Sequence, residues 1–124
     1  MKDCGAHVPY IASWKGTGPA GKVLKDLVDF TDLSATFADL AGARRPADVT
    51  FDGRSFAPQL RGQPGQPREW IFVQLGAKWY VREMDWKLNN DGELFDMKEA
   101  PFEEKLVAAD AQNAAAAAAR KRLQ

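Results

Sequence analysis

Lys78-Trp79-Tyr80-Val81-Arg82, Asp85-Trp86-Lys87-Leu88-Asn89, Asn90-Asp91-Gly92 and Glu93-Leu94-Phe95-Asp96 form the stretch on which the fold turns. Trp79, Val81, Trp86 and Leu88 fall at every second position, and an extended chain puts such residues on one face. Asn89-Asn90-Asp91-Gly92 is a turn signature, because Asn, Asp and Gly accept the backbone conformations a tight reversal needs. Glu93–Asp96 reads as the short returning strand. Just upstream, Trp70–Leu75 is largely apolar on both faces, as expected of a covered strand. These segments predict a three- or four-stranded antiparallel meander.

Outward from the meander, 63–68 (Gln-Pro-Gly-Gln-Pro-Arg) is a connector and a candidate boundary. Before it, Ser55–Leu60 reads as a short helical turn ended by Gly62, and Ala43–Arg54 as loop. Leu33, Phe37, Leu40 and Ala41 recur at helical spacing and predict one apolar helix face. Thr31 is the expected N-cap, Asp32 suits the positive end of the helix, and Gly42 stops it. Val23–Val28 reads as a brief extended piece and Lys15–Gly21 as loop. His7–Trp14 reads as a short buried strand, with Pro9 near its start, where a missing N–H is tolerated. On the other side, Asp110–Gln124 is expected to be helical. Ala114–Ala119 has the strongest helix propensity, Asp110 is placed to cap the start, and Arg120, Lys121 and Arg122 complement the negative end. Its single large apolar residue is Leu123.

The composition excludes several classes. At 124 residues the chain is one domain's worth. Lys+Arg and Asp+Glu are both 17, so net charge gives no case for nucleic acid or an anionic membrane. A hydrophobic content of 45% with four Trp and seven Phe fits a folded chain. With one Cys and one His, neither an internal disulfide nor a cysteine-based zinc site can be built. No apolar run reaches the roughly 20 residues of a spanning helix. No signal-peptide pattern leads the sequence, so the residues leave the compartment open.

Candidate chemistry is sparse. Cys4 lies three residues from His7, but a reactive thiol needs a base or cation held beside it, and an inert small residue is the simpler reading. His7 would have to serve any Ser–His–Asp site, and nothing in the sequence brings Ser13, Ser34 or Ser55 to it. Its plain reading is a polar residue at a strand start, and its functional reading is the rim of a polar pocket. Asp26, Asp29, Asp32 and Asp39 cluster around the first helix, where dipole complementation and a solvated face explain them more simply than a metal or acid–base pair. Asn89–Glu93 lacks the alternating oxygen ligands of a calcium loop and reads as a hairpin turn. Trp70, Trp79 and Trp86 suit a core better than a stacking platform, and Arg44, Arg45, Arg61 and Arg68 suit a solvated surface.

Four phrases, in order, resemble the C-terminal half of type I (formylglycine-dependent) sulfatases of the alkaline-phosphatase-like superfamily. Asp3-Cys4-Gly5-Ala6-His7-Val8-Pro9, with Ile11, Trp14, Gly16 and Gly21, is similar to the family's Gly-Thr-His/Arg-Val-Pro strand and the Trp-Pro-Gly turn after it, with Lys15 in place of the usual proline. Asp32-Leu33, Thr36 and Leu40-Ala41-Gly42 match the Asp-Leu-x-x-Thr helix ending Leu-Ala-Gly. Asp52-Gly53, Ser55, Pro58, Leu60 and Gly62 match Asp-Gly-x-Ser-x-x-Pro-x-Leu-x-Gly. Trp86-Lys87-Leu88 and Glu93-Leu94-Phe95-Asp96 resemble the strand pair near sulfatase C-termini. The resemblance covers about residues 3–100.

The resemblance implies a fold and a chemistry. The fold is an α/β (α+β) fragment: one N-terminal strand and helix from a larger sulfatase core, over 1–66, and a small antiparallel meander with a C-terminal helix, over 67–124. In the full-length family enzyme a cysteine is oxidised to formylglycine and calcium steadies the developing charge; both cofactors are expected there and neither in this chain. Cys4-Gly5-Ala6-His7-Val8 departs from the modification pattern Cys-x-Pro/Ala-x-Arg. The family's metal ligands, catalytic histidine and sulfate-contacting lysine precede the His/Arg-Val-Pro strand, so no catalytic residue and no metal ligand is assigned here; His7 alone takes a substrate-rim role. The expectation is a sulfatase fragment inactive alone, whose partner is the N-terminal sulfatase core or a second copy joined through an exposed strand edge. A sulfated substrate is expected only in the full enzyme, with no nucleic acid or membrane partner. Family members are often periplasmic or secreted. The alternative is a non-catalytic binding or interaction module that offers aromatic residues to a sulfated glycan or a partner chain. An independent small enzyme using Cys4 and His7 is the remaining reading.

Overall fold

A computed structural model describes residues 1–44, 46–110 and 113–124. Arg45, one of the loop arginines, and residues 111–112, within the expected tail helix, lie outside the described residues. The chain divides into two compact units, Met1–Pro9 with Glu69–Gln124, and Tyr10–Arg68.

The first unit is built on an antiparallel meander of five strands: β1 (Ile71–Leu75), β2 (Lys78–Arg82), β3 (Trp86–Asn89), β4 (Leu94–Asp96) and β5 (Lys105–Val107). Each strand pairs with the next in sequence, as short connections favour. Gly76 and Gly92 take positive φ in the reversals after β1 and after β3. β5 extends the expected meander; at three residues it is too short to show a period.

The register defines two faces. Val81 lies opposite Leu88, and Leu88 opposite Leu94. On that face Trp86, Leu88 and Leu94 form a cluster with Ala116, Ala119 and Leu123 of α3 (Ala114–Leu123), flanked by Val81 and Val107. The alanines at i and i+3 let the helix approach the sheet closely, so an Ala-rich helix with one Leu still closes a core. Asn113 caps α3, its side chain accepting from the Ala115 and Ala116 N–H groups, in place of the expected Asp110. On the opposite face Tyr80, Arg82, Lys87 and Asn89 are all buried. β1 is an edge strand and does not have the two covered faces its apolar run predicts: Phe72 and Leu75 are exposed, as is Trp70 beside it.

The second unit holds α1 (Thr31–Leu40), α2 (Ala57–Leu60) and an isolated bridge pairing Leu27 with Arg68. Gly42, at φ 63°, closes α1 as expected of a C-terminal glycine. The packed face of α1 differs from the expected one. Asp32, Ala35 and Thr36 are buried, whereas Phe37 and Ala41 are exposed and Leu33 and Leu40 only half-buried. The reason is polar: Phe56 N–H donates to Thr36 Oγ1 at 3.1 Å, and Arg54 N–H to Asp32 Oδ1 at 2.6 Å. Gly53 runs so close to the helix that a Cβ there would lie 2.0 Å from the Thr31 carbonyl oxygen. The strand expected over His7–Trp14 is absent among the described residues. No strand among the described residues pairs with this segment, and Val8, Tyr10, Ile11 and Trp14 are exposed; without ladder hydrogen bonds an apolar run does not become a strand.

Candidate functional site

His7 sits just after a 3₁₀ turn over Asp3–Gly5. The Ala6 and His7 N–H groups both donate to the Asp3 carbonyl oxygen at 2.8 Å, which fixes the spacing of the Asp3 and His7 side chains. His7 Nδ1 lies 3.4 Å from Asp3 Oδ2; the His7 side chain is 48% exposed and that of Asp3 only 1%. Asp3 reaches the buried face of the sheet, where Tyr80 Oη donates to Oδ1 at 3.1 Å and Arg82 Nη1 pairs with Oδ2. Beside this pair Lys87 Nζ is bound to Glu104 and donates to the Met1 carbonyl oxygen at 3.2 Å. The Lys87 ammonium also lies 4.5 Å from the Phe95 ring centroid and 5.2 Å from that of Tyr80. Two cations thus meet two carboxylates, as burial of charge requires. Burial first, then the Asp3 carboxylate, pushes the Tyr80 phenol well above its ordinary value of 10.0.

This cluster is not legible in the sequence. Tyr80, Arg82, Lys87 and Asn89 alternate with the apolar set, and such positions are normally solvated. Asp3, the partner of Tyr80 and Arg82, is 77 and 79 residues distant from them, and Glu104, the partner of Lys87, is 17 residues away, beyond any local pattern.

A second carboxylate organises the other unit. Arg68 Nε and Nη2 donate to Asp32 at 2.6–2.9 Å, a forked pair, and Nη2 reaches the Asp52 carbonyl oxygen at 3.0 Å. The N–H groups of Asp29 and Arg54 complete the acceptor set of Asp32. Burial alone would raise the Asp32 carboxyl; the Arg68 guanidinium and the two backbone donors outweigh it and hold the group below its ordinary 3.8. Arg68, expected on a solvated surface, is therefore the counter-ion of a buried aspartate, and Asp32 acts on more than the helix dipole.

The remaining candidates do not converge. Cys4 is an exposed free thiol. Ser34 Oγ donates to the Thr31 carbonyl, and Ser55 Oγ accepts from the Ala57 N–H. Asp29 holds the start of α1 through the Thr31 N–H and hydroxyl. Asn89 Oδ1 accepts from the Asp91 and Glu93 N–H groups, so the 89–93 segment is a hairpin turn. Trp86 is buried in the core; Trp79 is half-buried against Phe72; Trp14 and Trp70 are exposed, so Trp70 departs from the expected core position.

Calcium takes about six to eight oxygen ligands. Among the described residues no three His, Cys, Asp or Glu side chains gather where they could hold a metal ion. The buried carboxylates Asp3, Asp32 and the half-buried Glu104 face cations of the chain itself. Among the described residues the donor sets do not fit a calcium site. Among the described residues no helix is long and apolar enough to cross a membrane.

The fold so far is that of an α+β portion: a helix-and-loop unit and a five-stranded meander closed by a C-terminal helix. No family model matches the chain. The ulvan-active sulfatase of Formosa agariphila is 33% identical over 72 residues, covering 58% of this chain and 14% of that protein. Human arylsulfatase D is 31% identical over 93 residues, covering 68% of this chain and 16% of that protein. A crystal structure of a candidate sulfatase from Bacteroides thetaiotaomicron aligns with a TM-score of 0.55 at 29% identity, over 74% of this chain and 22% of that one. The chain is homologous to the sulfatases and corresponds to a C-terminal portion of one. It spans 14 to 16% of the length of these curated relatives.

Proposed function

We propose that this chain supplies the C-terminal part of a sulfatase, closing the fold beside the active-site cleft, and that it hydrolyses no sulfate ester alone. The observation that carries this reading is the fate of its acids: Asp3, Asp32 and Glu104 are neutralised within their own units, and among the described residues no convergent set is left to polarise an ester. His7, half-exposed beside a buried carboxylate, takes the substrate-rim role at a sulfate ester brought by the rest of the enzyme. The test is turnover of an aryl sulfate ester by the isolated chain with calcium present. No turnover is expected; turnover abolished by a chelator would overturn the reading.

The partner in this reading is an N-terminal sulfatase core or, failing that, a second copy. Ile11, Val23, Phe30 and Phe102 are each at least three-quarters exposed, and β1 offers an open edge. Light scattering should report self-association of the isolated chain at high concentration, and a monodisperse monomer would count against it. One observation favours the interaction-module reading: Trp70, Phe72, Val81, Arg122 and Leu123 line a groove of about 500 Å³. Saturable binding of a sulfated oligosaccharide that weakens with Trp70→Ala would favour that reading over the first.

A further inference from the structure

The structure assigns Asp3 to positioning His7: pinned by Arg82 and Tyr80, the Asp3 carboxylate holds the neutral imidazole with its proton on Nδ1 and leaves Nε2 as the acceptor. Three observations carry this. Both Asp3 oxygens are engaged from the sheet, Oδ1 by Tyr80 and Oδ2 by Arg82, so the carboxylate has no freedom to turn away from the ring. The two N–H bonds onto the Asp3 carbonyl oxygen clamp the backbone between the two residues. His7 Nδ1, 3.4 Å from Oδ2, faces an anion. At that distance an Nδ1–H is attracted, whereas an Nδ1 lone pair is repelled, and the group facing one ring nitrogen decides which nitrogen carries the proton. A neutral histidine free in water prefers the other tautomer, with the proton on Nε2. The charged groups around the pair are Asp3 and Arg82, with Glu104 accepting from the Asp3 N–H and Lys87 bound to Glu104.

The consequence rests on the reading of His7 as a rim residue. With Nε2 unprotonated, the neutral ring accepts a hydrogen bond and does not donate one. It therefore selects a hydroxyl on the alcohol or sugar part of the ester over a sulfate oxygen, which can only accept. Asp3 acts through His7 and touches no substrate.

Long-range proton–nitrogen correlation NMR on the ¹⁵N-labelled chain, at a pH where the ring is neutral, reads the tautomer directly. The wild-type chain should show Nδ1 protonated and Nε2 bare as the major form; a major Nε2–H form would overturn the inference without recourse to any variant. Asp3→Ala should invert the ratio, and Asp3→Glu should retain the wild-type form. Tyr80→Phe, which frees one carboxylate oxygen, should move the ratio partway. An unchanged ratio in Asp3→Ala with the sheet resonances intact would also overturn it. Titration of the chain, assembled with an N-terminal sulfatase core, with a sulfated sugar that keeps free hydroxyls separates the two ideas: a held Nδ1–H tautomer with no His7 response supports positioning by Asp3 and removes the rim reading.

Discussion

The two units solve the same problem, a buried carboxylate facing an arginine, in different surroundings. In the unit of residues 69–124 and 1–9, Asp3 and Arg82 lie on one face of a sheet whose other face is closed by Trp86, Leu88, Leu94 and three residues of α3. In the unit of residues 10–68, the buried apolar residues are Ala35, Phe56 and Ala57, and Asp32 gathers Arg68 and the N–H groups of Asp29 and Arg54. The first unit has an apolar core to which the ion pair is added. The second uses the carboxylate as its organising centre. A small unit with little apolar surface to bury depends on such a hub, because removing the hub leaves several donors without an acceptor.

The largest expected effect follows from this. Asp32→Ala strands the Arg68 guanidinium and two backbone donors and should cost about 3–5 kcal/mol. Hydrogen exchange should show protection lost over residues 29–56 and kept in β2–β4. Loss spread evenly over both units would break the comparison. Leu94→Ala is the matching change in the other unit. Leu94 is fully buried, and the substitution should cost about 2–5 kcal/mol, with exchange rising first in β3, β4 and α3.

The pH dependence sharpens the contrast, because the two units weaken at opposite ends of the scale. The Asp32 carboxyl lies below its ordinary 3.8, so the folded chain binds that proton more weakly than the unfolded chain. Its contribution is present above that value and is lost as pH falls below it. The Tyr80 phenol lies above its ordinary 10.0, so its contribution is present below that value and is lost as pH rises past it. Each pH unit inside either window is worth up to about 1.4 kcal/mol. Exchange measured across pH should open residues 29–56 first in acid and the sheet first in alkali; the reverse order would contradict the assignment. The smallest effect is Asn113→Ala, which removes the α3 cap and should cost about 1 kcal/mol, read as a lower melting temperature.

Much of the meander was legible in the residues. Trp79, Val81, Trp86 and Leu88 alternate, and Asn89–Gly92 turns the chain, so β2, β3 and β4 follow from local rules, whereas the three-residue β5 and the exposed β1 edge do not. The opposite face was not legible. Lys87 and Arg82 look like solvent positions until Glu104 and Asp3 are known to lie against them, and only the tertiary fold brings Asp3 there. α1 shows the same limit. Helical spacing located it, but its inward face is Asp32–Ala35–Thr36, chosen by hydrogen bonds to Arg54, Phe56 and Arg68 that no periodicity reports. His7 was legible as a candidate because it is the sole histidine and falls in the phrase resembling the sulfatase His/Arg-Val-Pro strand; its carboxylate neighbour follows from the turn geometry.

The buried acids Asp3, Asp32 and Glu104 each pair with a cation of the chain itself, and the proposal that they bind no calcium is open to test. Calcium titration of the whole chain, followed by the carboxyl carbon resonances of Asp3, Asp32 and Glu104, tests it most directly. No saturable binding and no movement of those three signals is expected. Saturable calcium binding that shifts them, and that Asp32→Asn abolishes while the sheet stays folded, would contradict it.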